Sequence, residues 1–180
     1  MVLLMTRMIA VTGPESCGKT ELCEALRSLY EGAVVVPEFA RTWLESQSPG
    51  YHYTFEDVVH IAREQTRLIQ AARSSNARIA FCDSDFAVLF IWMSEVFGKT
   101  DPEVSWQLKN AHFDGVLLCS PDIPWEPDPL RENPTDRDRL FTRYEVLLQT
   151  TALPVFTISG LAQARVACAK KAVDKVLQRG

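Results

Sequence analysis

Apolar positions recur along this chain in two rhythms. Five short, mainly apolar runs, Met8–Val11, Ala33–Val36, Ile79–Cys82, Val116–Cys119 and Leu153–Ile158, stop at polar or turn residues. Runs of that length predict strands buried on both faces. Between them apolar residues return every three or four positions, the spacing of a helix with one buried stripe. Leu22, Cys23, Leu26 and Leu29 predict a helix that begins near Lys19 and is ended by Gly32. Val58, Ile61, Ala62, Gln65, Leu68, Ile69 and Ala72 predict a second, with Thr54 and Asp57 as its capping box. Phe86 to Phe97 is strongly apolar, so this helix must be largely buried, and Gly98 closes it. Arg139 to Leu148 reads as another helix. Leu161, Ala164, Cys168, Val173 and Leu177 predict a last one, opened by Ser159-Gly160.

Two stretches break the pattern. Residues 46 to 53 carry Ser, Pro, Gly and Tyr and read as a loop. Residues 120 to 135 are rich in Pro, Asp and Glu and predict a longer one. Strands alternating with helices imply an α/β fold with a five-stranded parallel sheet covered on both faces. Ligands in such sheets bind beyond the carboxyl ends of the strands. With no repeat and no low-complexity tract, residues 1 to 180 read as one domain, with a lid-like loop at about 120 to 139.

Composition and charge narrow the partners. Hydrophobic residues make up 47% and charged residues 23%, an ordinary globular balance. The net charge of −4 supplies no bulk basic field for nucleic acid. No run approaches the roughly 18 apolar residues of a membrane span, so no membrane partner is expected. Cys17, Cys23, Cys82, Cys119 and Cys168 form no CxxC pair and no disulfide framework. Reduced thiols in a cytoplasmic protein are the expectation. His52, His60 and His112 do not make a metal site.

The strongest chemical signal is Gly13-Pro14-Glu15-Ser16-Cys17-Gly18-Lys19-Thr20, a full match to G-x-x-x-x-G-K-[ST] between a predicted strand and a predicted helix. Its backbone N–H groups and the helix start form an anion cradle for the phosphates of ATP. Lys19 should reach the terminal phosphates, and the Thr20 hydroxyl should bind Mg²⁺. Gly13 and Gly18 permit backbone that a side chain would block. Because the apolar N-terminus, Met1 to Val11, runs straight into this loop, it reads as a buried strand rather than a signal peptide.

Three carboxylates follow predicted strands and should meet the loop at one rim. Asp83 can hold Mg²⁺. Asp85 can cap the next helix, or contact substrate or take a hydroxyl proton. Glu38 can accept hydrogen bonds or a proton from a sugar hydroxyl, or else pair with Arg41 on the surface. Arg131 and Arg137, in or beside the long loop, suit a lid that neutralises charge on a transferred phosphoryl group; a solvated charged surface is the plainer alternative. Trp92 reads as core. Trp125 either stacks on a base or packs the loop.

Taken in order, the phosphate loop, Glu38-Phe39-Ala40-Arg41, Asp83-Ser84-Asp85-Phe86, and Pro124-Trp125 with Asp128 and Leu130-Arg131 resemble the ribosylnicotinamide kinase domain of bifunctional bacterial NAD-biosynthesis regulators. They also resemble stand-alone AAA-like ATP-binding proteins related to it. The resemblance spans roughly residues 8 to 150. It implies a P-loop NTPase fold of the three-layer, nucleoside-kinase-like kind. It implies transfer of the ATP γ-phosphate to the 5′-hydroxyl of nicotinamide riboside, with Mg²⁺ as cofactor. Lys19 and Thr20 then match the nucleotide site, Glu38, Asp83 and Asp85 the carboxylates around substrate and Mg²⁺, and Arg131 and Arg137 the lid. The family often places an aromatic immediately before the glutamate; here that position is Pro37, and a polar residue near Gln70 stands where a second aromatic is expected. No counterpart of the adenylyltransferase and DNA-binding modules occurs in these residues. The alternative reading is a regulatory module that binds or slowly hydrolyses ATP without phosphorylating a nucleoside.

Overall fold

The computed structural model of the chain describes residues 5–128 and 135–178. Five strands, β1 (Arg7–Thr12), β2 (Ala33–Val36), β3 (Ile79–Asp83), β4 (Gly115–Cys119) and β5 (Val155–Ile158), form one sheet. Their spatial order is β2-β3-β1-β4-β5. Every pairing is parallel. The central strands β1, β3 and β4 are buried almost throughout, whereas the edge strands β2 and β5 are partly exposed. That difference explains why the central runs are the most uniformly apolar.

Alternate strand residues feed two cores, as the two-residue period of a strand requires. Met8, Ala10, Ala80, Cys82, Val116 and Leu118 pack under α3 (Phe55–Arg73), α4 (Phe86–Phe97), α5 (Pro102–Asn110) and α6 (Arg137–Leu148). Ile9, Val11, Phe81, Leu117 and Ile158 pack on the other face against α1 (Lys19–Leu29) and α7 (Ala162–Leu177). The result is a three-layer α/β/α domain. Each Leu or Ile buried in this way is worth roughly 1.5–3 kcal/mol, which is why the two clusters outweigh any surface interaction.

The structure departs from the pattern reading in several places. Two helices were not predicted, α2 (Phe39–Glu45) and α5. α2 buries only Ala40, and α5 only Val104 and Leu108, too few positions for a visible period. α5 nevertheless carries a start signal: the Asp101 carboxylate accepts from the N–H groups of Glu103 and Val104, and Pro102 occupies the first turn. α6 begins at Arg137, two residues before the predicted start. β5 begins at Val155 because the Pro154 carbonyl already accepts from Val116 N–H while its nitrogen has no proton to give. Met5 is 79% exposed, so the N-terminal apolar stretch is not all strand. α7 is rotated from its predicted face: Leu161 is exposed, and Arg165 is buried with Ala169, Ala172, Val173 and Val176. The predicted capping box of α3 is present, with Thr54 and Asp57 bonding reciprocally.

Candidate functional site

β1 lies between β3 and β4, so the segment after it and the ends of β3 and β2 converge on one rim. Residues 13–18 wrap from β1 to the start of α1. Gly13 has φ +134°, and a β-carbon there would stand 2.7 Å from the Cys119 carbonyl oxygen. The chain can turn this tightly against β4 only with glycine. Ser16, at φ +52°, takes the left-handed region at a steric cost that favours a functional constraint.

The half-buried Lys19 folds back over the loop, its Nζ donating to the carbonyls of Pro14 at 2.9 Å and Gly13 at 3.1 Å. Burial alone would push this ammonium down. Its ionisable neighbours, Cys17, Tyr144, Glu38 and Asp83, outweigh burial and hold it above its ordinary range. The Cys17 thiol shows the reverse balance. Burial raises it, but the Cys119 hydrogen bond with the charges of Lys19 and Arg165 bring it down to about 7.

The Thr20 hydroxyl donates to Asp83 Oδ2 at 2.6 Å. The other Asp83 oxygen, Oδ1, is buried and has no hydrogen-bond partner among the described residues. Burial pushes the Asp83 carboxyl up, against the downward pull of Thr20 and Lys19. A buried carboxylate with one orphaned oxygen beside a threonine hydroxyl is a donor set of the hard-oxygen kind that a Mg²⁺ ion accepts, so these residues fit the ion implied by the sequence. Among the described residues no cluster of three or more His, Cys, Asp or Glu offers another metal site.

Glu38 and Asp85 occupy different environments. Asp85 is buried, and its Oδ1 accepts from Thr12 Oγ1 at 2.8 Å and from the N–H groups of Ala87 and Val88. It caps α4. Burial pushes its carboxyl up, opposed by those hydrogen bonds. Glu38 lies at the entrance of α2 and lines the main cleft. Its Oε1 accepts from Ser84 Oγ at 3.0 Å, and Ser84 itself is held at φ +83°. The surface pair between Glu38 and Arg41 is not formed. Arg41 instead reaches Asp128 at 3.0 Å and Glu45 at 3.3 Å.

Gln65 is what fixes Glu38, and sequence reading placed it only on the buried stripe of α3. Its Oε1 accepts from Phe39 N–H at 2.8 Å, and its Nε2 donates to the Pro37 carbonyl at 3.2 Å. A single buried amide thus grips the backbone on both sides of Glu38. A polar residue on an otherwise apolar helical stripe was the available signal. Gln65→Leu should cost about 1–3 kcal/mol, because both backbone groups lose a buried partner. Thermal melts check it.

The long loop sits on the phosphate loop. Glu126 N–H donates to Ser16 Oγ, and Arg137 Nη1 donates to the carbonyls of Ser16 at 2.9 Å and Ile123 at 3.0 Å. The Arg137 guanidinium lies over the Trp125 ring at 5.8 Å. Trp125 therefore packs the loop against α6. Arg131 lies outside the described residues. Sequence reading also missed Arg165, whose buried guanidinium reaches the carbonyls of Cys17 and Ser120 and the carboxylate of Asp122.

These parts enclose a cleft of about 1090 Å³ that begins at residues 13–20 and runs past Glu38. The cleft is also lined by Tyr51, Tyr53, Trp92, Glu95, Leu140 and Tyr144. Trp92, read as core from sequence, is half-buried there and donates from Nε1 to the Tyr53 hydroxyl at 3.1 Å.

Comparison with known proteins agrees with this fold. Over 135 residues the chain is 27% identical to the trifunctional NAD biosynthesis/regulator protein NadR of Escherichia coli K12, covering 74% of this chain and 33% of that protein. The NadR protein of Salmonella typhimurium LT2 matches to the same extent. The chain thus spans about one third of the length of these relatives. Among solved structures, a NadR protein in complex with NR superposes with a TM-score of 0.73 at 21% identity, covering 96% of this chain and 50% of the other. Thymidylate kinase from Ehrlichia chaffeensis shares the fold at a TM-score of 0.60 and 14% identity, covering 96% of this chain and 99% of the other. A family model described as an AAA domain matches residues 8–165, and with that match across most of its length the chain belongs to this AAA-domain family.

Proposed function

We propose that the protein is an ATP-dependent small-molecule kinase that passes the γ-phosphate to a nucleoside hydroxyl, with nicotinamide riboside as the acceptor. The observation that carries this reading is the continuous cleft joining the phosphate loop, Thr20 with its hydroxyl bonded to Asp83, Glu38 and several aromatic side chains. NadR relatives in sequence and structure support it, as does a NadR structure in complex with NAD and AMP-PNP.

Residues 13–20 cradle the triphosphate with backbone N–H groups, and Lys19 leaves the Gly13 and Pro14 carbonyls for the terminal phosphates. Thr20 and Asp83 would hold Mg²⁺, which when bound neutralises phosphate charge. Glu38, oriented by Ser84 and Gln65, accepts the acceptor hydroxyl proton as the new O–P bond forms and ADP departs. Asp85 anchors Thr12 and the start of α4, a supporting part in the same rim. Arg137, with Arg131, supplies lid charge.

Charge favours an unphosphorylated acceptor. Beyond the phosphate loop the cleft is lined by Glu38, Glu45, Glu95 and Asp128, against a single cation among the described residues, Arg41. That guanidinium is already paired with Asp128 and Glu45, and Glu95 is paired with Arg139 and Arg143. Among the described residues of this lining, a nucleoside monophosphate finds no arginine that is not already paired with a carboxylate, whereas a cationic pyridinium nucleoside suits carboxylates and aromatic faces. ATP consumption measured with nicotinamide riboside, uncharged nucleosides and nucleoside monophosphates tests this. Stimulation by the riboside is expected. Stimulation only by a monophosphate, or by no acceptor, overturns it, and the latter outcome returns the protein to an ATP-binding regulatory role.

Asp83 gives a pH signature with opposed signs. Its folded pKa is raised, so acidification through that range protonates a carboxyl that burial already disfavours as an anion, and this group's penalty on stability is relieved. The same protonation removes the metal carboxylate. Binding of Mg²⁺-ADP should therefore weaken as pH falls, beginning above the ordinary carboxylate range, while the nucleotide-free protein gains from this group. Calorimetric titrations across pH, with Asp83→Asn as the control that lacks this titrating group, check the prediction.

A further inference from the structure

We infer that Arg165 is a positioning residue for the nucleotide site: it locks the Cys17–Gly18 peptide so that the Gly18 N–H faces the phosphates. Arg165 lies in the first turn of α7 and is 5% exposed. A cation at a helix N-terminus opposes the helix dipole, and burying one is costly without partners. Its partners lie in the loops that follow three neighbouring strands, β1, β4 and β5. Nη2 donates to the Cys17 carbonyl at 2.7 Å and the Ser120 carbonyl at 2.8 Å. Nη1 donates to Asp122 Oδ1 at 2.7 Å and the Gly160 carbonyl at 3.2 Å. Asp122 Oδ2 in turn accepts from Gly160 N–H at 2.7 Å.

The contact with Cys17 has a directional consequence. In a planar trans peptide the C=O and the following N–H point opposite ways. A guanidinium that draws the Cys17 carbonyl inward therefore turns the Gly18 N–H outward, toward the space above the loop. Gly18 sits at φ +71°, where the peptide could otherwise rotate with little resistance from a side chain. Because the same guanidinium holds Ser120 and Gly160, the orientation is set by the ends of β4 and β5 rather than by the loop alone. The inference rests on the nucleotide half of the proposed function and is independent of the acceptor.

Arg165→Met and Arg165→Lys, compared with Val173→Ala on the buried face of the same helix, test it. Nucleotide affinity is read by calorimetry with Mg²⁺-ADP, and the Gly18 amide proton by NMR. Arg165→Met should weaken nucleotide about 10- to 100-fold, as expected for loss of a charge-assisted hydrogen bond. Arg165→Lys, with one ammonium for four acceptors, should fall between it and wild type. Val173→Ala should lower Tm yet bind nucleotide normally. In the wild type, nucleotide should shift the Gly18 amide downfield, and in Arg165→Lys by less. Where an acceptor is turned over, KM for ATP should rise and KM for the acceptor stay constant. Unchanged nucleotide affinity in the Arg165 variants, equal weakening by Val173→Ala, or a wild-type Gly18 amide that ignores nucleotide each overturns the inference. If Arg165→Met fails to fold, Arg165→Lys and the wild-type spectrum still decide it. Failure of every nucleoside as acceptor would defeat the proposed reaction and leave this test intact.

Discussion

Lys19→Met should lower ATP-dependent phosphoryl transfer about 10³-fold, some 4 kcal/mol of transition-state stabilisation, while the protein stays folded. The size of the effect follows from what no other described residue supplies. The Lys19 Nζ is already at the mouth of the loop, within hydrogen-bond reach of two of its carbonyls. The groups around it hold it charged despite burial. Methionine keeps much of the stem and so preserves packing, but leaves the terminal phosphates without their cation. Asp83, which Lys19 pulls downward against burial, should then take up a proton at higher pH than in the wild type. The measurements are steady-state turnover, a thermal melt and a pH profile of Mg²⁺-ADP binding. Turnover near the wild-type level would remove the phosphate loop from the mechanism.

Glu38→Gln should lower kcat about 10²- to 10⁴-fold, the range of a positioned proton acceptor, with KM for ATP little changed. Glutamine can still accept from Ser84 Oγ, so the local backbone and Tm should survive. Asp85→Asn supplies the contrast. Its amide oxygen can keep the bonds from Thr12, Ala87 and Val88, so the cap persists and the loss in kcat should be the smaller of the two. If Asp85→Asn proved the more damaging, the proton acceptor would lie at the start of α4 instead of the start of α2.

Much of this arrangement was legible before any coordinates. The five strands stood out because a parallel sheet buries its central strands on both faces, leaving uninterrupted runs such as those of β3 and β4. The phosphate loop was legible because its motif lies between such a strand and a helix. Glu38, Asp83 and Asp85 were legible as residues that follow strands, since a parallel sheet brings all such positions to one rim. What escaped was carried by contacts far apart in sequence. Gln65 acts on a segment 26 and 28 residues away. Arg165 reaches the Cys17 carbonyl across 148 residues. Neither distance leaves a local pattern. Short helices such as α2 escaped because one buried residue gives no period. Pro37 illustrates a further limit: the residue that replaces an expected aromatic is used through its carbonyl, which any residue type would offer.

The central claim concerns one bond, from the γ-phosphorus to a nucleoside oxygen. Mass-spectrometric detection of product from purified protein, ATP, Mg²⁺ and nicotinamide riboside tests it directly. The account predicts nicotinamide mononucleotide and ADP in equal amounts from the wild type, and neither above background from Lys19→Met. ADP and inorganic phosphate without any phosphorylated nucleoside would contradict it.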